Sequence, residues 1–157
     1  MNLDVVILMG SESDKEIMKS ANNILADFKI SFQSHILSAH RAPNYLHSKM
    51  KEWNEQGVKV FIAAAGLAAH LPGVVASLTT RPVIGVPLKS ETSLMSGLDS
   101  LCSIVQMPSG VPVATVGVNN ASNAAWLALQ ILGISSNKIE QDIQIFRKQK
   151  ESTYASL

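Results

Sequence analysis

The feature that most constrains this chain is a regular alternation of short apolar runs with longer segments whose apolar residues have helical spacing. Strand-like and helix-like segments alternate five times, with short connections between them. Continuous apolar runs such as Val5–Met9 are typical of strands that are covered on both faces. Short connections between alternating strands and helices require parallel strands with right-handed crossovers. The sequence therefore predicts an α/β fold, a three-layer sandwich with a parallel, flavodoxin-like sheet.

The predicted elements follow one another without a linker, an internal repeat or a low-complexity tract, so a single domain is expected over residues 1–157. The predicted strands are Val5–Met9, Ile30–Leu37, Lys59–Ala65, Pro82–Val86 and Val111–Val116. The predicted helices are Glu12–Phe28, Pro43–Trp53, Ala68–Leu78, Leu98–Gln106, Asn123–Leu132 and Lys138–Lys150. Pro43 suits a first helical position, and Pro72 must lie in the first turn of its helix because a proline ring disrupts an interior turn.

The balance of apolar and charged residues indicates self-association. The chain is 46% hydrophobic and only 16% charged, with a net charge of +1, whereas soluble domains are about 25% charged. A chain so poor in charge is expected to bury part of its surface against copies of itself, as a homo-oligomer. The small net charge argues against nucleic acid or an anionic membrane as the main partner.

The N-terminus and the single cysteine bear on compartment and redox chemistry. The segment Met1–Asp4 has no basic region and leads directly into a strand, so no signal peptide is expected. No apolar run reaches the roughly 18 residues of a membrane span, and the cytoplasm is the expected location. Cys102 is the only cysteine, which excludes an internal disulfide and a cysteine-based metal cluster. Its apolar helical surroundings favour a buried structural thiol over a nucleophile.

The last predicted helix, at about residues 138–150, carries apolar residues among many charges. These residues are Ile139, Ile143, Ile145 and Phe146. Because the predicted sheet is already covered on both faces by the other helices, this apolar stripe has no obvious place within the subunit. We therefore expect the last helix to pack on a neighbouring subunit.

The first polar segment, residues 10–14, follows the first predicted strand and begins the first predicted helix. Gly10 allows the backbone to turn, and Ser11, Ser13 and Asp14 fall near a helix N-terminus, where free N–H groups attract anions. Helix capping is the better interpretation of this segment taken alone. Two serines and an aspartate exceed what one cap requires, so a phosphate and a sugar diol are candidate ligands. The segment is neither a P-loop nor a dinucleotide-binding glycine motif.

The second polar segment follows the second predicted strand and precedes the helix that begins at Pro43. Its residues Ser38, His40 and Arg41 place a hydroxyl, an imidazole and a guanidinium together. Histidine is the natural group for proton transfer near neutral pH, and arginine suits bidentate contact with an oxyanion. Capping of the strand edge is the alternative for His40, and the adjacent Arg41 and Ser38 favour a functional role.

The third segment, residues 64–73, is almost free of side-chain chemistry. Its small residues would let a planar ligand lie against the backbone, and His70 is equally compatible with a catalytic role and with a structural bond to a carbonyl. His35 and His47 are interpreted as structural or solvated, and the histidine spacings do not predict a metal site. In parallel sheets the strand ends that precede these three segments meet at the ligand-binding edge.

These segments and several later blocks resemble a known family along nearly the whole chain. The blocks are Gly10–Asp14, Ser38–Arg41 with Pro43, Ala68–Gly73, Pro82–Pro87, Gly97–Leu101, Ser103–Pro108, Gly110–Thr115 and Asn123–Ala124. The chain is similar to the bacterial-type (class I) 5-(carboxyamino)imidazole ribonucleotide mutases of purine biosynthesis. The resemblance implies a flavodoxin-like subunit that assembles as an octamer. It also implies ATP-independent conversion of 5-(carboxyamino)imidazole ribonucleotide to 4-carboxy-5-aminoimidazole ribonucleotide, with no metal, biotin or other cofactor.

The resemblance further implies individual roles. The implied site residues are His40 and His70 as catalytic residues, and Ser11, Ser13, Asp14, Ser38, Arg41, Ala65, Gly66 and Leu71 as substrate-binding residues. In this scheme His40 protonates the departing nitrogen and later accepts the C4 proton. The serines and the arginine hold the 5′-phosphate, and the aspartate holds the ribose hydroxyls. The small-residue loop covers the base and excludes water, so that released carbon dioxide is recaptured.

Two alternatives stay open. Ala42, Lys15 and Leu67 depart from the usual family pattern, and Leu67 lies close to the expected position of the base. Related carboxylases, which act on aminoimidazole ribonucleotide with dissolved carbon dioxide, tend to have lysine and glycine after the histidine, so Arg41–Ala42 favours the mutase. The second alternative is a non-catalytic nucleotide-binding or flavin-binding module on the same fold. An aromatic content of only 5% counts against flavin.

Overall fold

The computed structural model describes residues 3–155. Met1 and Asn2, which belong to the N-terminal segment interpreted above, therefore lie outside the described residues. The strands are β1 (Val5–Met9), β2 (Phe32–Ile36), β3 (Val60–Gly66), β4 (Val83–Leu88) and β5 (Ala114–Thr115). The helices are α1 (Lys15–Asp27), α2 (Pro43–Glu55), α3 (Leu71–Ser77), α4 (Leu98–Val105), α5 (Ala121–Gly133) and α6 (Asn137–Ala155). A short 3₁₀ turn, Glu12–Asp14, leads into α1. Every predicted element is therefore present, with shifts at its ends.

The strands form one parallel sheet in the order β2-β1-β3-β4-β5, which confirms the predicted flavodoxin-like architecture. Met9 at the end of β1 pairs with Ile36 of β2 and with Ala64 of β3. Gly66 at the end of β3 pairs with Leu88 at the end of β4. This register brings the carboxyl ends of four strands to one edge of the sheet, and the loops that follow them begin side by side.

Two hydrophobic cores lie on opposite faces of the sheet, because successive side chains of a buried strand point to opposite faces. In β1, Val5 and Ile7 pack with α1 and α5, whereas Val6 and Leu8 pack with α2 and α3. All five residues of β1 are buried. The continuous apolar run that predicted this strand therefore results from burial on both faces.

The fifth strand and the third helix are much shorter than their sequence patterns indicate. Only residues 114–115 of the predicted strand 111–116 form a strand, because Val111 donates its N–H to Pro108 in a turn and Pro112 has no N–H to donate. The third helix begins at Leu71 rather than Ala68, because Leu67 and Ala69 have positive φ values that no helix contains. Pro72 lies in the first turn, as predicted.

The prediction that Cys102 is buried is wrong, since its thiol is exposed. Helix α4 directs Ser100 and Ile104 toward the sheet. A residue two positions from each of these is rotated by about 200° around the helix and faces away. The helix lies very close to β4, where a Cβ atom on Gly85 would stand 2.4 Å from Ile104 Cγ2. That close approach fixes which face of α4 is buried.

The prediction that the stripe on the last helix lacks a partner within the subunit is also wrong. Ile143 of α6 is buried, and Ile139 packs against the same core as α5. The Phe146 ring stacks on Trp126 of α5 with 4.2 Å between ring centroids. Ile145 alone of the four stays largely exposed. Within residues 3–155, no helix combines the length and the apolar character needed to cross a bilayer.

Candidate active site

A cavity of about 790 Å³ lies at the carboxyl ends of β1–β4. Its lining comes from four segments, within residues 10–17, 38–41, 65–71 and 88–92. Every residue that the sequence predicted as a site residue borders this cavity. The volume is in the range of pockets that hold small-molecule ligands, roughly 300–1,000 Å³. The edge rule for parallel sheets thus brings together three segments that are distant in sequence.

The segment after β1 forms a capping box at the start of the first helical turn. The Ser11 hydroxyl accepts the Ser13 N–H, at 3.4 Å between donor and acceptor. In return the Asp14 carboxylate accepts the Ser11 N–H at 2.9 Å. The Ser13 hydroxyl adds contacts of 3.1 Å to the Ser11 hydroxyl and 3.3 Å to the Asp14 carboxylate. Capping is therefore present, and two serine hydroxyls remain clustered at the cavity wall.

Asp14 is the acidic residue in this wall. Burial raises the pKa of the Asp14 carboxyl, while hydrogen bonds from Ser11, Ser13 and Gly10 and the positive charge of Arg41 oppose that rise. The carboxylate is thus partly desolvated and already engaged by donors on one side. Such a group suits hydrogen bonds from ligand hydroxyls, because those donors reduce the cost of holding a charge away from water.

Arg41 joins the second segment to the first. Its Nη2 donates to the Gly10 carbonyl at 2.8 Å, and its backbone N–H donates to the Ser38 hydroxyl at 3.3 Å. The guanidinium therefore lies across the end of β1, beside the Ser11–Asp14 box. Its remaining donors are available to an oxyanion bound at the cluster of hydroxyl and N–H groups. This wall of the cavity therefore combines a guanidinium with a cluster of small donors.

His40 and His70 meet across the cavity, although thirty positions separate them in sequence. His40 Nε2 lies 2.7 Å from His70 Nδ1, and the rings are nearly perpendicular, at 81°. A contact this short requires one N–H and one lone pair, so a single proton occupies the space between the two nitrogens. From the sequence, a structural hydrogen bond to a carbonyl was the alternative to a catalytic role for His70. In the structure the hydrogen-bond partner of the His70 ring is His40. The two imidazoles are therefore directly hydrogen-bonded to each other at the cavity wall.

The segment after β3 lines the cavity mainly with backbone. The side chains of Ala65 and Leu71 are buried in the core, so these residues offer a ligand little besides N–H and C=O groups. Gly66 approaches β4 closely, since a Cβ atom there would lie 3.3 Å from the Leu88 carbonyl. The Ala69 N–H donates to the Gly66 carbonyl at 3.0 Å and closes a tight turn. A planar ligand with hydrogen-bonding groups at its edge fits such a wall.

Sequence reasoning missed the fourth wall, residues 88–92. Lys89 directly follows β4, so the edge rule that located the other three segments also applies to it. Its backbone N–H donates to the Asn119 side chain at 2.8 Å, and the Asn119 N–H donates to the Pro87 carbonyl. Ser90 and Thr92 continue the wall with two hydroxyls that contact each other. The position of these residues at the end of β4 could have revealed this wall, but no sequence motif drew attention to it.

The other histidines lie outside this lining. His35 packs against the Trp53 ring with 5.0 Å between ring centroids, and its pKa is lowered by burial and by the neighbouring Lys49 charge. His47 is exposed on α2. Among residues 3–155, no group of three or more His, Cys, Asp or Glu side chains is arranged to hold a metal ion.

The similarity of this chain to known proteins extends over all the segments that line the cavity. A family model described as AIR carboxylase matches residues 4–153, which include all four walls of the cavity. The chain belongs to the AIR carboxylase family. Within this family it is 54% identical over 144 residues to the N5-carboxyaminoimidazole ribonucleotide mutase of Pyrococcus horikoshii. The match covers 92% of this chain and 80% of that relative.

Members of the AIR carboxylase family differ in the length over which they match. The chloroplastic phosphoribosylaminoimidazole carboxylase of Vigna aconitifolia is 50% identical over 92% of this chain, but the match covers only 26% of that protein. The crystal structure of Treponema denticola PurE superposes with a TM-score of 0.88 at 29% identity, covering 97% of this chain and 94% of that one. The mutase therefore matches this chain in length as well as in sequence.

Proposed function

We propose that this protein is an isomerase that converts 5-(carboxyamino)imidazole ribonucleotide to 4-carboxy-5-aminoimidazole ribonucleotide without ATP, in the cytoplasmic pathway of purine biosynthesis. The observation that carries the proposal is the 2.7 Å contact between His40 and His70 in a cavity whose other end holds Arg41 and a hydroxyl cluster. The substrate has the same two ends, a phosphate and a base that exchanges protons. Family relatives named as mutases support the same activity.

The phosphate binds at the arginine end of the cavity. Arg41 supplies charge, and the hydroxyls of Ser11, Ser13 and Ser38 supply donors within the same wall. Asp14, partly desolvated, accepts hydrogen bonds from the ribose hydroxyls. The existing capping contacts hold these groups in place before the ligand arrives, which reduces the entropy lost on binding.

The imidazole base binds over the backbone of Ala65 and Gly66 and beside Leu71. In this position the ring lies beside His40 and His70, which border the same cavity. The N–H and C=O groups of this segment can bond the polar edge of the base, while its small side chains leave room for the ring. Binding energy at the phosphate thus places the reacting atoms at His40.

The reaction balances with one proton moving in each direction. The bond between the exocyclic nitrogen and the carboxylate carbon breaks, its electrons return to the nitrogen, and His40 supplies a proton there. The released carbon dioxide is attacked by ring C4, which forms the new carbon–carbon bond. C4 then gives its proton back to His40 and the ring regains aromaticity. His70 holds His40 through the shared proton and orients its ring.

Direct carboxylation of aminoimidazole ribonucleotide by dissolved carbon dioxide is the second candidate, because some relatives are named as carboxylases. The two activities differ in the origin of the new carboxylate. A mutase transfers the carboxylate of its own substrate, whereas a carboxylase draws carbon dioxide from solution.

The test is a single turnover with enzyme in excess over substrate that carries ¹³C in its N-carboxylate, in unlabelled bicarbonate and without ATP. We expect product formation faster than the enzyme-free blank, with the label retained in the C4 carboxylate. Product that carries only unlabelled carboxylate would assign the carboxylase activity instead. Absence of any conversion of either ribonucleotide would leave the non-catalytic module as the better account.

We also propose that the protein is a homo-oligomer, with the octamer that the family resemblance implies. Support comes from α4, whose outer face carries three exposed apolar residues, Leu98, Cys102 and Val105. The preceding loop adds Leu94 and Met95, which are also exposed. An apolar patch on one helix and its loop is a typical protein contact surface. Of the four apolar residues predicted to form a stripe on the last helix, only Ile145 stays largely exposed for such a contact.

The two helices can be tested separately by light scattering. Leu98→Glu on α4 is expected to lower the molar mass, and Ile145→Glu on α6 is expected to leave it unchanged. In the assembled protein Cys102 should react slowly with a maleimide, and it should react quickly in the Leu98→Glu variant. A monomeric wild-type protein would contradict the proposal, and a dissociated Ile145→Glu variant would move the contact to α6.

A further inference from the structure

The turn between β3 and α3 contains a backbone conformation that glycine, but not leucine, adopts freely. Leu67 has a φ of 55°, in the left-handed region. The turn is closed by the hydrogen bond from the Ala69 N–H to the Gly66 carbonyl. Side chains with a Cβ are disfavoured in this region because the Cβ crowds the backbone. Such strain is kept where the surrounding structure imposes it, commonly at ligand sites.

The Leu67 side chain is neither buried in the core nor remote from the ligand. It is 46% exposed, yet it borders the cavity. The next residues of the same turn, Ala68 and Ala69, carry only methyl groups, so Leu67 supplies the bulk of the turn. A large apolar side chain in a strained turn gains little stability from half-burial. The Leu67 side chain therefore contributes mainly to the wall of the cavity.

We propose that Leu67 is a specificity-determining residue that decides whether released carbon dioxide recombines at C4 or escapes from the site. The inference rests on the proposed function. Leu67 borders the cavity and is partly exposed to solvent, in the segment over which the base is proposed to bind and which leads to His70. Its apolar surface excludes water from the space in which the neutral carbon dioxide molecule waits for attack by C4.

Escape and recombination lead to different, balanced products. Recombination forms the carbon–carbon bond at C4 and gives the carboxylated product. Escape leaves aminoimidazole ribonucleotide, whose exocyclic nitrogen has kept the bond electrons and taken one proton, together with free carbon dioxide. The ratio of the two ribonucleotides after one turnover therefore measures how well the site retains carbon dioxide.

The experiment uses the labelled single turnover on the full chain, with the enzyme-free decarboxylation subtracted. Leu67→Gly removes the side chain and relaxes the turn, and Leu67→Met restores apolar bulk. Lys29→Gly is the matched control, because Lys29 is an exposed non-glycine residue with a φ of 56° and lies outside the cavity. It gives the same backbone relief without a change at the site.

We expect wild type, Leu67→Met and Lys29→Gly to retain the label and to release little aminoimidazole ribonucleotide. Leu67→Gly should raise the escaped fraction by at least about tenfold, since even one methylene gained or lost in an apolar pocket changes discrimination by roughly 10–200-fold. Its melting temperature should stay within about 3 °C of the wild-type value, because strain relief and added chain entropy oppose each other. Substrate consumption should change by less than the escaped fraction does.

Each other result decides against the inference. Full label retention by Leu67→Gly overturns it, and so does equal escape from Leu67→Met and Leu67→Gly. If Leu67→Gly consumes the substrate more slowly but retains the full ¹³C label, Leu67 acts in substrate binding instead. If Leu67→Gly fails to fold, the Leu67→Met comparison is repeated with Leu67→Ala, and equal retention by both overturns the inference. Loss of label by the wild-type enzyme overturns the proposed function itself, and the wild-type arm reports that outcome separately.

Discussion

The loops after β1 and after β3 border the same cavity, but they are built in opposite ways. The loop after β1 has several polar side chains, and its capping box satisfies the backbone of residues 11–14 without any positive φ value. The loop after β3 has one polar side chain, His70, and it places Leu67 and Ala69 at positive φ values. The loop after β1 therefore provides side-chain hydrogen-bond donors on an unstrained backbone. The loop after β3 provides mainly a particular backbone shape, which it holds with positive φ values.

The difference fits the two tasks of the proposed reaction. A phosphate is held equally in substrate and transition state, so its loop needs only stable donors that are positioned before binding. The reacting base needs an enclosed and dry environment, which a particular loop shape provides. Residues in rarely populated conformations cost about 1–3 kcal/mol each. Of the two loops, only the one after β3 carries that cost.

The strongest test of this division is His40→Asn, which removes proton transfer from the reacting end. We expect kcat to fall by about two to three orders of magnitude, because a positioned acid or base contributes roughly 10²–10⁴ in rate. KM should change little, since the phosphate loop is intact. His47→Asn is the control, because this histidine is exposed on α2 outside the cavity. Steady-state kinetics with near wild-type kcat in His40→Asn would remove His40 from the mechanism.

The next test acts on the binding end. Arg41→Ala should raise KM by about tenfold to a hundredfold with a smaller change in kcat, because a hydrogen bond to a charged group contributes roughly 1.5–3 kcal/mol. Arg41→Lys should recover part of the loss, since it keeps the charge and loses the bidentate geometry. Arg81→Ala, on the exposed segment before β4, is the matched control. An unchanged KM would place the phosphate elsewhere.

The smallest expected effect belongs to Asp14→Asn. The amide oxygen can still accept the Ser11 N–H, so the cap persists, while weaker bonds to the ribose should raise KM severalfold, up to about tenfold. The measurement is again steady-state kinetics, with circular dichroism to verify that the fold is kept. A KM equal to that of wild type would show that Asp14 serves the cap alone.

Asp14→Asn should also alter the dependence of stability on pH. Burial raises the pKa of Asp14 in the folded protein above its ordinary value, so the folded state binds this proton more readily than the unfolded chain. The associated stability is present below the ordinary pKa and is lost as pH rises through the raised one. Urea unfolding across this acidic interval should show that loss in wild type but not in Asp14→Asn. Identical slopes would contradict the assignment.

Much of the fold was predictable because burial on both faces leaves a direct trace in the sequence. The apolar run of β1 and the helical spacing of α1 each reflect which side chains meet the core. The exposed position of Cys102 was not predictable, because it depends on which face of α4 contacts β4. The contact of Phe146 with Trp126 was missed for the same reason. Periodicity identifies an apolar face but does not identify its partner.

The location of the site was predictable from the rule that ligands bind at the carboxyl ends of parallel strands. The rule places residues 10–14, 38–41 and 65–71 at one edge, and the polar composition of the first two drew attention to them. It does not give distances, so the contact of His40 with His70 appears only in three dimensions. The strain at Leu67 was likewise invisible, because a leucine in a turn has no sequence signature for its φ value.

The cavity walls have a consequence for the order in which the protein can become active. Among the described residues, every one that lines the cavity precedes residue 93. The last wall nevertheless depends on the side chain of Asn119, which holds the backbone of Lys89. During synthesis, the residues that line the cavity therefore emerge well before Asn119, which holds the last of them in place. A nascent chain can therefore contain every lining residue without a complete cavity, and we expect the proposed activity only after the C-terminal third has been made and folded onto the sheet.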